Sequence, residues 1–589
     1  VSQKLVQKAM FRGTKMASKV HHCFEIFLLT TWLLSFLASA TCCIQLASLH
    51  RYGEHSQLQV AAAIACSIIL ATWAVAEACN QFGLHASDMQ PGYELASTTE
   101  LEPVVVGRKV ADEEKDPEVQ DADEADAKQN EEDKEGLRRS SIDIQAWLKE
   151  HISTFRAGGE FCVILGFLYI CDRTEVLVEV PKLRDPRYFW GLWALILGVA
   201  LLTMRKTEDS KPLSREQTDE WKGWMQIMFL MYHYFDEKEV YNAIRVYIAA
   251  YVWMTGYGNF ILYRKGKSFT ARRTVQMLFR LNFLGIVVCI VLRNEYMLYY
   301  ICAMHTLFTV FVLMAMFILH TLNSSYVVLW VKILTTFAVT MVLYDGPDFI
   351  FRLVFGTFPG VRALFAFHDP LHPEFTDEMH EFHFRSGLDR YIWIFGMICA
   401  LHYDNFSALL QLNSSCTQRA AQFLLVLLAL GYGGLWWRYV FLLDKYAYNK
   451  LHPFTSFVPL SAYLVLRNCT EGLRKRYLYL FAYMGRTTLE TYIFQFHIWM
   501  RTTGLNGSPK KLLVVVPGSF WLNFIVVTAI YIFISVRFSH LTGVIRDTLI
   551  PESFRASVKV ASALTTVGIA CWILSLMCMG STVAPARTR

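Results

Sequence analysis

Apolar stretches long enough, or nearly long enough, to cross a bilayer recur from one end of this 589-residue chain to the other. In hydrocarbon every backbone N–H and C=O must find its partner within the protein, which leaves helices and closed barrels as spanning structures. A helix needs about 20 apolar residues for the crossing. Candidate segments lie near 23–46, 58–78, 157–171, 189–204, 221–236, 241–263, 275–292, 296–320, 326–344, 391–410, 420–443, 455–466, 477–499, 512–536 and 560–579. Several are short, so tilted or re-entrant passages are expected among them. With 54% hydrophobic and 18% charged residues, the expected fold is all-α, a polytopic transmembrane helical bundle of about 12–15 membrane segments.

Basic loops orient such a bundle. Lys4, Lys8, Arg12, Lys15 and Lys19 precede the first segment, which places the N-terminus in the cytosol and makes that segment a signal anchor. Arg205, Lys206, Lys211 and Arg215, then Arg264, Lys265, Lys267, Arg272 and Arg273, then Arg474, Lys475 and Arg476 continue the alternation on the cytosolic side. The loop 345–390, rich in His, Asp and Glu, is expected on the lumenal or outer side.

One segment departs from this composition. Residues 100–135 hold 15 Asp or Glu against 5 Lys or Arg. They bury too little to fold and read as a disordered cytosolic loop. Setting that net −10 aside from the chain's +6 leaves +16 elsewhere, suited to anionic headgroups of membrane lipids or to an anionic substrate. The expected division is residues 1–85 (basic segment and two spans), 86–152 (acidic loop), 153–555 (multi-span domain) and 556–589 (last span and tail). Fourteen scattered cysteines without a CxxC pair indicate neither a disulfide scaffold nor a zinc cluster. No phosphate-binding loop, dinucleotide fingerprint or serine-hydrolase motif is present, and no nucleic-acid partner is expected.

Polar residues inside spans are expensive and mark candidate sites. Lys222 and His233 stand eleven apart in REQTDEWKGWMQIMFLMYHYF, so Lys222, Gln226, Phe229 and His233 share one helical stripe about 16 Å long. The bland alternative is a snorkelling lysine and a histidine in an interhelical contact. Asn242, Arg245, Asn259, Arg280, Asn282 and His305 add buried polarity, and the arginines call for carboxylate partners. His380 to Tyr391, with His368 and His372 upstream, invites a metal, but the pattern is not a zinc pattern and no metal is expected. Asp389 is expected to pair with Arg385 or Arg390. Asn449 and His452 follow Asp444, and in GRTTLETYIFQFHIW Glu490 and His497, seven apart, should share a helix face.

EQTDEWKGWMQ, YHYF, YNAIRVYIAAYVWMTGYGNF, RLNF, YMLYYICAMHTLFT, HEFHFRSGLDRYIWIFGMI, YNKLHPFTS and LETYIFQFHIW together resemble the reduced-wall-acetylation proteins of plants. Their membrane domain is shared with fungal capsule O-acetyltransferases and the animal sialate O-acetyltransferase. The likeness runs in unbroken order over about residues 155–550. It implies a multi-pass Golgi membrane protein that uses cytosolic acetyl-CoA to acetylate lumenal polysaccharide or glycan hydroxyls. The animal protein carries a lumenal domain of SGNH-hydrolase type that these residues do not show. The chain is therefore more similar to the plant members, which hand acetyl groups to separate lumenal transferases. Lys222 to His233 is also similar to an Arg-x10-His pattern of bacterial membrane acyltransferases, with lysine replacing arginine.

On this reading Lys222, Trp221, Gln226, Asn242 and Arg245 bind acetyl-CoA, without a metal. His233 acts as base or acetyl carrier, and His497, His383 and Glu490 join the catalytic set. Arg385, Asp389, Arg390, Asn449, His452 and Gln495 line the acceptor side. Two rival classes remain: a transporter supplying acetyl-CoA to a separate lumenal enzyme, and a structural scaffold.

Overall fold

The computed structural model describes residues 30–45, 49, 51, 54–88, 146–264, 270–411 and 416–580. The basic N-terminal segment, the acidic run 100–135, Lys265 and Lys267 lie outside them. Each expected segment has a helical counterpart. Among the described residues, eight helices are long and apolar enough to cross a membrane: 57–81, 152–173, 271–292, 296–317, 326–345, 419–441, 520–549 and 554–579. Two shorter apolar helices cover 30–45 and 186–202. The expected passages at 391–410, 455–466 and 477–499 are instead short or broken helices.

The chain forms two compact units, residues 1–43 with 64–162, and residues 44–63 with 163–589. In the first, Val75, Ala76, Cys79 and Leu148 make a small core flanked by Trp32 and Phe155. There Arg156 grips Glu77 through two hydrogen bonds of 2.9 and 2.7 Å.

The elements that matter for the second unit are α1 (Ile152–Arg173, whose last turns belong here), β1 (Val178–Pro181), α2 (Pro186–Leu202), β2 (Met204–Lys206), α3 (Arg215–Phe235), α4 (Tyr241–Arg264), α5 (Ala271–Leu292), α6 (Tyr300–Phe317), α7 (Ile392–Leu401), α8 (Lys445–Thr455), β3 (Arg476–Leu478), α9 (Tyr479–Met484), α10 (Thr488–Phe494), β4 (Met500–Thr502), β5 (Pro509–Val514) and α11 (Phe520–Leu549). Two small antiparallel sheets cap opposite ends of α2, a 17-residue helix about 25 Å long. At one end β2 pairs with β3, with Arg205 opposite Tyr477, so the basic loops around 205 and 475 meet. At the other end β5 lies between β1 and β4, with Glu179 opposite Leu513 and Met500 opposite Leu512.

Helix ends are set by ordinary chemistry. Ser214 caps α3 by accepting from the Gln217 N–H, and Asp236 ends it in the left-handed conformation. Asp185 caps α2, with Pro186 at its first position. The segment after Phe494 departs from α geometry: residues 495–499 form a π-type turn that leads into β4.

Glycines let helices approach very closely at two crossings. A Cβ on Gly223 of α3 would lie 1.7 Å from the Phe481 carbonyl oxygen of α9, and one on Gly485 would lie 1.9 Å from the Asp219 oxygen. Only two glycines let these backbones touch. Gly256 of α4 and Gly396 of α7 repeat the arrangement against Trp393 and Trp253.

Candidate functional site

Lys222, Gln226 and Phe229 line a cavity of about 290 Å³ with Tyr247, Tyr251, Thr255, Ile301, Cys302, His305, Thr488 and Tyr492. Three members of the expected stripe on α3 thus face one space, while His233 does not line it. Lys222 is not a free cation, however: its ammonium sits 2.6 Å from the Asp219 carboxylate, one turn earlier. Arg486 approaches the same carboxylate at 3.7 Å. The mouth therefore holds two cations around one carboxylate. Gln226 donates to Thr491 at 3.1 Å, and His305 shares a 2.6 Å hydrogen bond with Thr255.

His233 stands behind the cavity wall. Its ring lies 4.6 Å from the Phe229 ring, 4.9 Å from Tyr232 and 5.9 Å from Phe496, centroid to centroid. No hydrogen bond to its ring nitrogens occurs among the described residues; only its carbonyl is engaged, by Lys182 at 2.6 Å. An imidazole ringed by aromatics with both nitrogens unengaged is available for proton or acyl exchange.

His497 is the opposite case. It is fully buried, with Nδ1 at 2.8 Å from Asp172 and Nε2 bonded to the Tyr299 hydroxyl. Asp172 also accepts from the Thr502 amide at 2.8 Å and the Thr502 hydroxyl, and it pairs with Arg173 at 2.5 Å. Arg173 in turn bonds Asn294 and the Leu292 carbonyl. Both ring nitrogens are thus engaged in an Asp172–His497–Tyr299 array. Asp172 escaped the sequence reading; its one signal was an acidic–basic doublet, Asp172-Arg173, at the end of an apolar helix.

Glu490 does not share a site with His497. It pairs with Arg280 at 2.7 Å, because the π-type turn after Phe494 carries His497 toward Asp172 instead. Of the residues expected to bind acetyl-CoA, Lys222 and Gln226 line the cavity and three do not. Trp221 packs on Trp253 and Tyr463, at 5.6 and 4.6 Å between ring centres. Asn242 donates to the Phe441 and Leu443 carbonyls. Arg245 pairs with Asp389 at 2.6 Å.

That last pair corrects the expected partners of Asp389. Arg385 pairs with Glu381 and lies 4.6 Å over the Tyr300 ring, while Arg390 pairs with Asp345 at 2.7 Å. Buried carboxylate and guanidinium meet inside the bundle because neither tolerates desolvation alone. His452 completes this seam, 3.4 Å from Asp389 and 3.0 Å from Tyr448. Asn449 bonds Tyr241, and Gln495 donates to the Tyr492 carbonyl. His383 is packed against Phe351 and Tyr344. The residues expected on the acceptor side therefore do not converge on one space; each is engaged by an internal partner or by packing.

Outside the spans, β1 carries a charge clamp. Glu179 accepts from Arg51 at 2.9 Å and from Lys511 at 2.8 Å. The Arg51 guanidinium, aided by Lys511, holds the Glu179 carboxyl down at about 2.

Comparison with known proteins gives three findings. Residues 38–562 match the family model described as the 10 TM Acyl Transferase domain found in Cas1p. An N-acetylneuraminate (7)9-O-acetyltransferase of Danio rerio is 30% identical over 414 residues, covering 67% of this chain and 50% of the relative. The chain thus spans half the length of that relative. No solved structure matches.

Proposed function

The chain belongs to the acyltransferase family defined by the 10 TM domain of Cas1p, and from that premise we propose that it moves acetyl groups from cytosolic acetyl-CoA to hydroxyls of a lumenal glycan or polysaccharide. Transfer ends on the acceptor directly or passes through a separate lumenal transferase of SGNH type, in the Golgi membrane. The relative of Danio rerio, named for acetylating N-acetylneuraminate, supports a glycan hydroxyl as acceptor.

The observation that carries this reading is a cavity that begins at a cationic mouth and ends one ring short of an unengaged imidazole. Its 290 Å³ lies at the lower edge of small-molecule sites, roughly 300–1,000 Å³. That space suits the slender thioester arm of CoA and leaves the phosphates at the basic end with Lys222 and Arg486. Along α3, Lys222 and His233 lie about 16 Å apart, the order of length such an arm reaches.

Once the Phe229 ring lets the thioester carbon past, His233 in its neutral form attacks it. A C–N bond forms, the C–S bond breaks, and the proton on the other ring nitrogen goes to the leaving thiolate, giving free CoA and acetyl-imidazole. An acceptor hydroxyl then attacks the acetyl carbon. The C–N bond breaks, and the hydroxyl proton returns to the imidazole. Asp172, His497 and Tyr299 act as a positioning group that fixes the π-type turn bearing Phe496 beside this imidazole.

The test uses purified protein in liposomes with its cytosolic face exposed to acetyl-labelled acetyl-CoA. Free CoA outside, with label on the protein or on a lumenal acceptor, and both lost in a folded His233→Ala variant, is the expected result. Intact labelled acetyl-CoA inside would mean a donor transporter and overturn the assignment.

A further inference from the structure

Gln226 and His305 line the cavity from α3 and α6, each with one polar atom engaged and one left over. His305 uses Nδ1, which stands 2.6 Å from the Thr255 hydroxyl. The other acceptor within reach of that hydroxyl, the Tyr251 carbonyl, lies at 3.4 Å, long for an O–H donor, so the Thr255 proton goes to Nδ1. The ring proton of His305 is then on Nε2, which is a donor. Gln226 gives its amide nitrogen to Thr491 at 3.1 Å, which leaves Oε1 as an acceptor. Neither Nε2 nor Oε1 has a partner among the described residues, and both keep accessible surface.

The two groups belong to different depths. The Tyr251 hydroxyl donates to the Lys222 carbonyl at 2.5 Å, and Thr255 stands one turn further along α4, toward Arg264. His305, held by Thr255, therefore lies at the Lys222 end of the cavity. Gln226 is one turn beyond Lys222 on α3, on the way to Phe229. Helix packing accounts for the Thr255 and Thr491 bonds, but not for a donor and an acceptor left unpaired on one cavity whose remaining walls are mostly apolar or aromatic. A few polar atoms in such a wall fix the orientation of a ligand. The pantetheine arm of CoA carries two amides in succession, joined by the two methylenes of its β-alanine unit, and each offers one carbonyl and one N–H.

We propose that His305 and Gln226 form a pantetheine subsite that reads this amide pair. His305 Nε2–H donates to the carbonyl oxygen of the outer amide, nearer the phosphates, and Gln226 Oε1 accepts from the N–H of the inner amide, nearer the sulfur. This rests on the acyltransferase reading above and names the part of the donor that the cavity selects. Both residues bind the donor, and neither takes part in bond exchange.

The experiment gives the full chain in liposomes four acetyl thioesters and reads thiol release as kcat/KM. They are acetyl-CoA; S-acetylpantetheine, with both amides and no phosphates; S-acetyl-N-acetylcysteamine, with the inner amide alone; and the ester analogue of the last, in which oxygen replaces the inner N–H. The unaltered protein should favour S-acetylpantetheine over S-acetyl-N-acetylcysteamine, and that thioester over its ester analogue, by about 5–100-fold each, the range for leaving one hydrogen-bonding group unpaired. His305→Asn keeps a polar atom for Thr255 and removes the far donor, so it should bring the first ratio near one and leave the second unchanged. His305→Gln, whose amide nitrogen reaches the Nε2 position, should restore the first ratio in part. Gln226→Met should bring the second ratio to one or below and leave the first unchanged. Each ratio is taken within one preparation, so a partly unfolded variant does not move it. The proposal is overturned by ratios near one in the unaltered protein, or by either ratio surviving its variant. Release from acetyl-CoA but from no truncated thioester places recognition on the phosphates alone and overturns it as well. Absence of thiol release from all four is the distinct outcome that removes the acyltransferase reading itself, and the subsite with it.

Discussion

Gly223 is the position where one added methyl group should do the most damage. The built Cβ lies 1.7 Å from the Phe481 carbonyl oxygen, and real Cβ contacts essentially never fall below 3.0 Å, so the gap must open by at least 1.3 Å. The obstacle is backbone, which cannot rotate aside as a side chain could, and the reciprocal contact of Gly485 with Asp219 holds the same crossing from the other helix. Overpacking usually costs about 1–3 kcal/mol, and with no compliant partner Gly223→Ala should reach about 3, roughly a hundredfold in the folded-to-unfolded ratio. Gly258 provides the control: it is exposed on α4 with nothing within 4 Å of its built Cβ. There alanine should stabilise by about 0.5–1 kcal/mol through helix propensity. The two variants should thus differ by about 4 kcal/mol when unfolding of purified protein is followed in detergent micelles. Because α3 also carries Lys222, Gly223→Ala should lose donor binding as well. Equal stability of the two alanine variants would refute the close-crossing argument.

Asp389→Asn should cost about 3–5 kcal/mol, because it strands the buried Arg245 guanidinium; a neutral effect on unfolding would show the pair to be dispensable. Asp172→Asn should slow acetyl transfer while Lys222-side donor binding stays unchanged, since Asp172 holds His497 and not the cavity mouth; a weakened KM for acetyl-CoA with kcat intact would contradict that placement. Glu179 has a folded value near 2 against 4.5 ordinarily, so its contribution is fully present above about 4.5 and is lost as pH falls toward 2. Glu179→Gln should therefore flatten the acid limb of a stability profile between about pH 5 and 2, and an unchanged limb would argue against the Arg51–Lys511 clamp.

Local patterns predict helices well here, because a bilayer admits few alternatives and the apolar runs are long. Where a passage carries polar residues the boundaries blur: 477–499 reads as one span, yet it divides into α9, α10 and a π-type turn. A seven-residue spacing presumes uninterrupted α geometry, which is why Glu490 and His497 looked like neighbours. The Lys222–Phe229–His233 stripe was legible because all its members lie on one regular helix. Pairings across the fold were not: Arg245 and Asp389 lie 144 residues apart, and Asp172 and His497 lie 325 apart. Nothing local selects Asp389 for Arg245 over the nearer Arg385 or Arg390. Only the packing of α4 against α7 does so.

Carriers that move a whole solute open their site first to one side and then to the other, and the rocking of helix bundles that this requires runs over microseconds to milliseconds. The partition formed by Phe229 beside His233 is one aromatic ring thick. Under the proposed acetyl transfer, passing the ring amounts to crossing the barrier for the two-carbon group, and the CoA that brought it departs the way it came. Alternating access then becomes unnecessary. The glycine-locked crossings can stay rigid through the cycle, with turnover limited by bond exchange and by the arrival of donor and acceptor on their own sides.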